Sequence, residues 1–163
     1  MIQLQIRDEI PSDIQDIRVI EAAAFPTAGE ADLVDQLRQD GSAAYSLVAV
    51  ADGRVVGHVM FSKMQSPEGS LGLAPVAVLE GYRRKGVAAR LIREALSRAK
   101  ADGWKAVFVL GYPYYERFGF EPRMAAAFAS PYAGPHFMAL ELQQGALAAG
   151  GEAQYPNPFA ALG

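Results

Sequence analysis

A mixed α/β domain, with helices on both faces of one sheet, is the fold class that this sequence predicts. Two observations lead there. The segment from Leu71 to Leu110 reads strand, helix, strand, which demands a parallel crossover. Asp52-Gly53 between two apolar runs is a tight hairpin signal, which demands an antiparallel pair.

The elements follow in order. Ile2, Leu4 and Ile6 alternate with Gln3, Gln5 and Arg7, a half-buried strand over residues 2–8. Pro11-Ser12-Asp13 supplies helix-start chemistry, and Ile14, Ile17, Ile20, Glu21 and Ala24 follow at helical spacing up to Phe25-Pro26. A second short helix runs from Glu30 to Gln39 and closes at Asp40-Gly41. Tyr45–Val50 and Val55–Lys63 form the hairpin strands, and residues 64–70 a polar loop. Leu71–Leu79 is apolar on both faces and so interior to the sheet. The next helix has the clearest pattern, with Val87, Ala88, Leu91, Ile92, Ala95, Leu96 and Ala99 on one side and Gly103 as its stop. Trp104–Leu110 is β-branched and aromatic, hence a strand. Tyr114–Phe118 makes a turn or two of helix. Gly119-Phe120 starts a further strand, and Phe137–Leu142 is the last one. The Ala- and Gly-rich tail from Gln143 is expected to pack as an irregular arm.

Composition narrows the function classes. Half of the 163 residues are hydrophobic and 20% are charged, which suits one folded domain and not a disordered chain. A net charge of -3 argues against a general nucleic-acid binder. There is no cysteine, so a disulfide framework, a Cys-ligated metal and a cysteine nucleophile are excluded; with two histidines far apart, no metal site is expected. No apolar run reaches about 18 residues and no basic leader precedes an apolar stretch, so the expectation is a cytoplasmic protein without a membrane span.

The cations are nevertheless clustered, with Arg83, Arg84 and Lys85 consecutive before Gly86. An apolar strand, this short turn and a helix start form a ready phosphate site. The first helical N–H groups lack intrahelical partners, and the macrodipole adds positive charge there. Gly86 allows close main-chain approach, while Ala88 and Ala89 keep side chains clear.

Arg83-Arg84-Lys85-Gly86-Val87-Ala88, after Val76-Ala77-Val78-Leu79-Glu80-Gly81-Tyr82, resembles the acetyl-CoA-binding loop of the GNAT family of N-acetyltransferases. Tyr115-Glu116-Arg117-Phe118-Gly119-Phe120, one strand later, is similar to that family's Tyr-Glu-Lys-x-Gly-Phe segment. The match is closest to a small bacterial subgroup with Leu-Gly-x-Pro-x-Tyr-Tyr-x-Arg-Phe-Gly-Phe, here Leu110 to Phe120, and Tyr155 to Phe159 resembles the subgroup's terminal Tyr-x-x-x-Phe. Tyr112 stands where the subgroup commonly has an acid.

The resemblance implies a mostly antiparallel, splayed sheet, an acetyltransferase domain over residues 1–142 and an arm, 143–163, packed on it. It implies acetyl-CoA as co-substrate and a small-molecule or protein amine as acceptor. The pyrophosphate would lie on the backbone of Arg84 to Ala89, through Lys85, Gly86, Val87 and Ala88, with the charges of Arg83, Arg84 and Lys85 adding attraction. The backbone of Val76, Ala77 and Val78 would pair with the pantetheine arm. Tyr115 would be the general acid, and Tyr112 and Tyr114 are its rivals. For the base, Glu21, Glu30, Glu116 and His58 are open, although a lone strand histidine is more often structural and residues 71–79 contain no acid; water relaying the proton to bulk, or uptake of an already neutral amine, is equally open. Residues 25–30, 64–70 and 121–135, with Phe25, Met64, Arg123, Met124 and Phe128, would border the acceptor. Related folds form homodimers through their C-terminal strands. A non-catalytic acyl-CoA-binding module of the same fold is the alternative to the enzyme, and a nucleic-acid-binding domain the weaker third reading.

Overall fold

The computed structural model describes residues 3–162. The chain runs β1 (Gln5–Asp8), α1 (Ile14–Ala24), α2 (Gly29–Gln39), β2 (Ala43–Ala51), β3 (Arg54–Lys63), β4 (Ser70–Val78), α3 (Val87–Ala101), β5 (Ala106–Leu110), α4 (Pro122–Ala125), β6 (Phe128–Ala129), β7 (Phe137–Glu141) and β8 (Gly151–Glu152). The main sheet has the order β1-β2-β3-β4-β5-β7; only β4 and β5 are parallel. The β2–β3 turn places Asp52 at φ 53 and Gly53 at φ 74, the positive pair that matches the twist of a two-residue hairpin.

Both faces of the sheet are covered. Ile17, Ile20, Leu33, Val34 and Leu37 of α1 and α2 pack with Met60 and Phe108 on one side. On the other side Leu91, Ile92 and Ala95 of α3 pack with Val59, Phe61, Leu71 and Val107. Burying each large aliphatic side chain in these layers stabilises the fold by about 1.5–3 kcal/mol.

The start of α1 carries a further device. Pro11–Asp13 is a 3-10 turn, and the Asp13 carboxylate accepts the Ile10 N–H at 2.8 Å. It also takes two bonds from Arg7, at 2.7 and 3.2 Å, with only 6% of its side chain exposed. The Arg7 guanidinium holds the Asp13 carboxyl below its usual range. The unfolded chain therefore binds this proton more readily than the folded one. The stability contributed is complete above the unfolded pKa of about 3.9 and is lost as pH falls through the lower folded value. We expect Asp13→Asn to cost about 1–3 kcal/mol near neutral pH and to flatten the acid limb of stability, measured by urea denaturation between about pH 2 and pH 6.

Four expected elements differ. Residue 2, read as part of the first strand, lies outside the described residues, and β1 begins at Gln5. Trp104 and Lys105 precede β5, because their N–H groups go to Ala99 and Gly69 carbonyls and not to a strand. Gly119-Phe120 opens no strand: Gly119 turns at φ 99, Glu121 makes a single bridge to Ala139, and Pro122 starts α4. The tail is more ordered than an irregular arm. Its β8 pairs parallel to β6, a 3-10 turn covers Asn157–Leu162, and Tyr155 and Phe159 are buried in the same core as α2.

Candidate active site

The parallel pair β4–β5 is short. Ser70, Leu71 and Gly72 stand beside Ala106, Val107 and Phe108, and the register stops there. Beyond Gly72, β4 stays with β3 while β5 stays with β7, so the sheet opens. Val78 lies opposite Gly57, and the Leu79 N–H donates to the Val56 carbonyl at 2.8 Å. Alternation along the strand then turns the main-chain groups of Val78 and Val76 away from β3 and into the opening, and those of Ala77 toward β3. Of residues 76–78, Val76 and Val78 are thus the ones that present main-chain groups to the opening.

At the end of β4 the chain makes a 3-10 turn at Glu80–Tyr82 and enters α3. Arg84 adopts φ 61 and Gly86 φ 82, which winds the turn back on itself. Among the described residues no acceptor takes the N–H groups of residues 84–89; the first helical bond is Arg90 N–H to the Gly86 carbonyl at 3.1 Å. A Cβ built on Gly86 meets no atom within 4 Å, so the concavity above it is open. These N–H groups and the positive helix end make a cradle that fits a pyrophosphate. A cleft of about 450 Å³ lies over it, walled by Arg84, Gly86 to Ala89, Tyr114 and Arg117. The expected cations divide. Arg83 and Arg84 lie in the wall and Lys85 outside it, and Arg83 also donates its Nε to the Val78 carbonyl at 2.8 Å, which closes the turn. Arg117, whose guanidinium stacks 4.0 Å over the Tyr114 ring, was missed. Its place next to the tyrosine motif was the available signal.

Tyr115 sits on the 3-10 turn Pro113–Phe118 that follows β5. Its ring edge packs on Phe120 at 6.2 Å between centroids and rests on bare backbone at Gly111. Burial, then the neighbouring Tyr114, pushes its phenol up to about 12, so it is a neutral proton donor across the physiological range. The rivals lie elsewhere: Tyr112 is 75% exposed, and Tyr114 belongs to the phosphate cleft. A Cβ on Gly111 would stand 2.5 Å from the Tyr115 ring. Gly111→Ala should therefore move the ring, costing about 1–3 kcal/mol of stability and lowering kcat more than CoA affinity. Thermal denaturation alongside steady-state kinetics checks this.

Tyr115 also walls a second cavity, of about 330 Å³, in the mouth of the opened sheet. Leu73 to Val76 of β4 form one side, Phe25, Glu30 and Leu33 another, and Tyr132, Tyr155, Phe159 and Leu162 close it. Of the loops expected at the acceptor, residues 25–30 and Tyr132 contribute. Residues 64–70, Arg123, Met124 and Phe128 are not in this wall: Met64 is buried in the core, Phe128 packs on Phe108, and exposed Arg123 pairs with Glu121. The aromatic tail residues carry no local sign of this role beyond the Tyr155–Phe159 spacing.

The candidate bases separate in the same way. His58 is fully buried; Nδ1 bonds Glu21 at 2.7 Å and Nε2 bonds Ser46 Oγ at 2.8 Å. Ser46 donates onward to Glu9, which Arg38 grips through two bonds of 2.7 and 2.8 Å. Burial raises the Glu21 carboxyl, and its Oε1 has no partner among the described residues. Neither residue reaches the cavity wall, and Glu116 is exposed on the turn; Glu30 alone of the candidate acids lines the cavity.

A sheet opened between parallel strands, with an anion-ready cradle at one end and a half-buried phenol beside the gap, is the arrangement expected of an acyl-CoA-dependent transferase. Comparison with known proteins gives the family. The family model "Acetyltransferase (GNAT) family" matches residues 14–120, and the chain belongs to that family. It is 45% identical over 120 residues to the uncharacterized N-acetyltransferase YjhQ of Escherichia coli strain K12, a stretch covering 68% of this chain and 66% of that protein. Its structure superposes on the GNAT family N-acetyltransferase YhbS from Escherichia coli in complex with CoA, with TM-score 0.92 and 36% identity, covering 100% of this chain and 95% of that one. A GNAT family acetyltransferase from Brucella melitensis in complex with acetyl-CoA matches with TM-score 0.79 and 32% identity, over 98% and 99% of the two chains. The protein is thus a GNAT-family acetyltransferase. No helix among the described residues is long and apolar enough to cross a membrane.

Proposed function

We propose that this acetyltransferase transfers the acetyl group to an amine held in the cavity beside Tyr115, by direct attack. The observation that carries this is the position of Val76 and Tyr115 in one cavity wall, with the cradle at the far end of the same strand. Acetyl-CoA supplies an acetyl group whose C–S bond breaks as the new C–N bond forms. The N–H groups of Arg84 to Ala89 hold the pyrophosphate, and Arg84, Lys85 and Arg117 add positive charge around it. The main-chain groups of Val76 and the N–H of Val78 align the pantetheine arm, the Val78 carbonyl being held by Arg83, and the Val76 N–H steadies the carbonyl oxygen. Tyr115 gives its proton to the departing sulfur. An acceptor that enters as an ammonium gives up two protons, one before attack to free its lone pair and one after the C–N bond forms. The second replaces the proton that Tyr115 gives to sulfur, and the first is released to solvent each turnover. Glu30 is the carboxylate best placed to take it.

The test is calorimetry with CoA followed by free-thiol release from acetyl-CoA across an amine panel. CoA binding with amine-dependent thiol release supports the reading. Saturable CoA binding with no release for any amine would leave only a binding module. A cytoplasmic location and a homodimer are further parts of the proposal, checked by cell fractionation and light scattering.

A further inference from the structure

The cavity beside Tyr115 has an uneven chemistry. Glu30 is the one charged residue in its wall, and no Lys, Arg or His lines it. Glu30 lies in the first turn of α2 and has no ion-pair partner among the described residues. Its neighbours on the same helix differ: Asp32 is paired with Arg18 at 2.7 Å, and Asp35 with Arg18 at 2.8 Å and Arg38 at 3.0 Å. Glu30 is thus a half-buried carboxylate left uncompensated in an otherwise apolar hollow, which is costly unless a cation arrives.

The surroundings strengthen this. Glu21 lies buried behind the same region, and the charge of Glu30 adds to the burial that raises its carboxyl. A cation entering beside Glu30 would relieve that repulsion. Four rings complete the wall, Phe25, Tyr132, Tyr155 and Phe159, with Tyr155 edge-on to Tyr132 at 5.5 Å and tilted on Phe159 at 4.8 Å. Aromatic faces welcome an ammonium and an apolar body alike. A volume of about 330 Å³ is at the small end for ligand sites and fits one ring with a short arm.

Resting on the acetyl-transfer reading, we propose that the acceptor is a small primary amine with an apolar, ring-sized body and no anionic group, its ammonium held by Glu30. An amino acid or a phosphate-bearing amine would place a negative charge in a cavity whose only fixed charge is already negative. A sugar polyamine would leave hydroxyls unpaired against the rings.

The test uses the full chain, acetyl-CoA and thiol release with four probes: 2-phenylethylamine, hexylamine, phenylalanine and a short lysine-containing peptide. Phenylethylamine and hexylamine should exceed phenylalanine in kcat/KM by about a hundredfold, since an uncompensated charge in the pocket is being rejected. Glu30→Gln should raise KM for phenylethylamine by about tenfold or more, and Glu30→Asp, which keeps the charge, should recover most of it. CoA affinity, read by calorimetry, should be the same in all three proteins. Better turnover of phenylalanine or of the peptide, or a Glu30→Gln variant with wild-type KM, overturns the acceptor class while leaving acetyl transfer standing. CoA binding without thiol release for any probe overturns acetyl transfer itself, and the acceptor class with it.

Discussion

Replacing Tyr115 by Phe is expected to lower kcat by about 10²- to 10³-fold and to leave CoA affinity close to that of the parent. Only an oxygen is lost. The ring keeps its seat over Gly111 and its edge contact with Phe120, so the cavity wall is preserved. What disappears is the proton offered to the sulfur. The phenol is pushed up to about 12 by burial, which by itself makes it a weaker acid than a free thiol. The same desolvation acts on a thiolate held beside it, raising that pKa too, so the mismatch is smaller than either free value suggests. A pH profile adds a second readout. Tyr115 remains protonated well above neutrality, so any fall in kcat on the basic side below about pH 10 belongs to another group and persists in the Phe variant. Steady-state rates across pH, with calorimetry for CoA, decide the matter; unchanged turnover in the variant would remove Tyr115 as the acid.

Gly86→Glu is expected to weaken CoA binding by about a hundredfold or more. Two terms combine. Gly86 holds φ 82, where a residue with a Cβ costs about 1–2 kcal/mol. The new side chain would also project into the empty concavity above the turn, setting a carboxylate against the phosphates. Gly86→Ala separates them, since it carries the backbone cost without the charge and should bind CoA better than the Glu variant. Calorimetry gives the affinities, and the melting temperatures report how much of the loss is folding. Full CoA affinity in Gly86→Glu would show that the phosphates lie elsewhere.

The parts of this protein visible in its sequence are those whose cause is local. The cradle occupies consecutive residues, and a strand, a turn with Gly86 and an amphipathic helix each leave a pattern in a short window. The hairpin at Asp52-Gly53 and the crossover around α3 are local in the same sense. The acceptor cavity is assembled differently. Phe25, Leu73, Tyr115, Tyr132 and Tyr155 meet only once the sheet is folded, and no spacing announces it. The misplaced loops have a physical reason. Met64 and Phe128 are apolar and find the core, so being near the site in sequence did not bring them to it. Arg83 shows a use that its charge did not announce: it lines the cleft and also donates its Nε to a carbonyl five residues back. His58 and Glu21 were separate candidates in sequence, and folding joins them into one buried pair.

The tail is tied to residues 65 and 66 through its main chain as well as by its buried rings. The Gln154 N–H donates to the Ser66 carbonyl at 2.9 Å, Gln65 Nε2 to the Tyr155 carbonyl at 2.9 Å, and Ser66 Oγ to the Glu152 carbonyl at 2.9 Å. Such a clasp does not depend on which side chains the tail bears. Tyr155 and Phe159 also pack in the core, so exchange there favours residues of similar bulk, while Leu162 is exposed and the cradle of residues 84–89 lies in another part of the chain. In the proposed acceptor site, changes in the tail would retune the choice of amine without touching the coenzyme cradle, and grafting tails between relatives tests this.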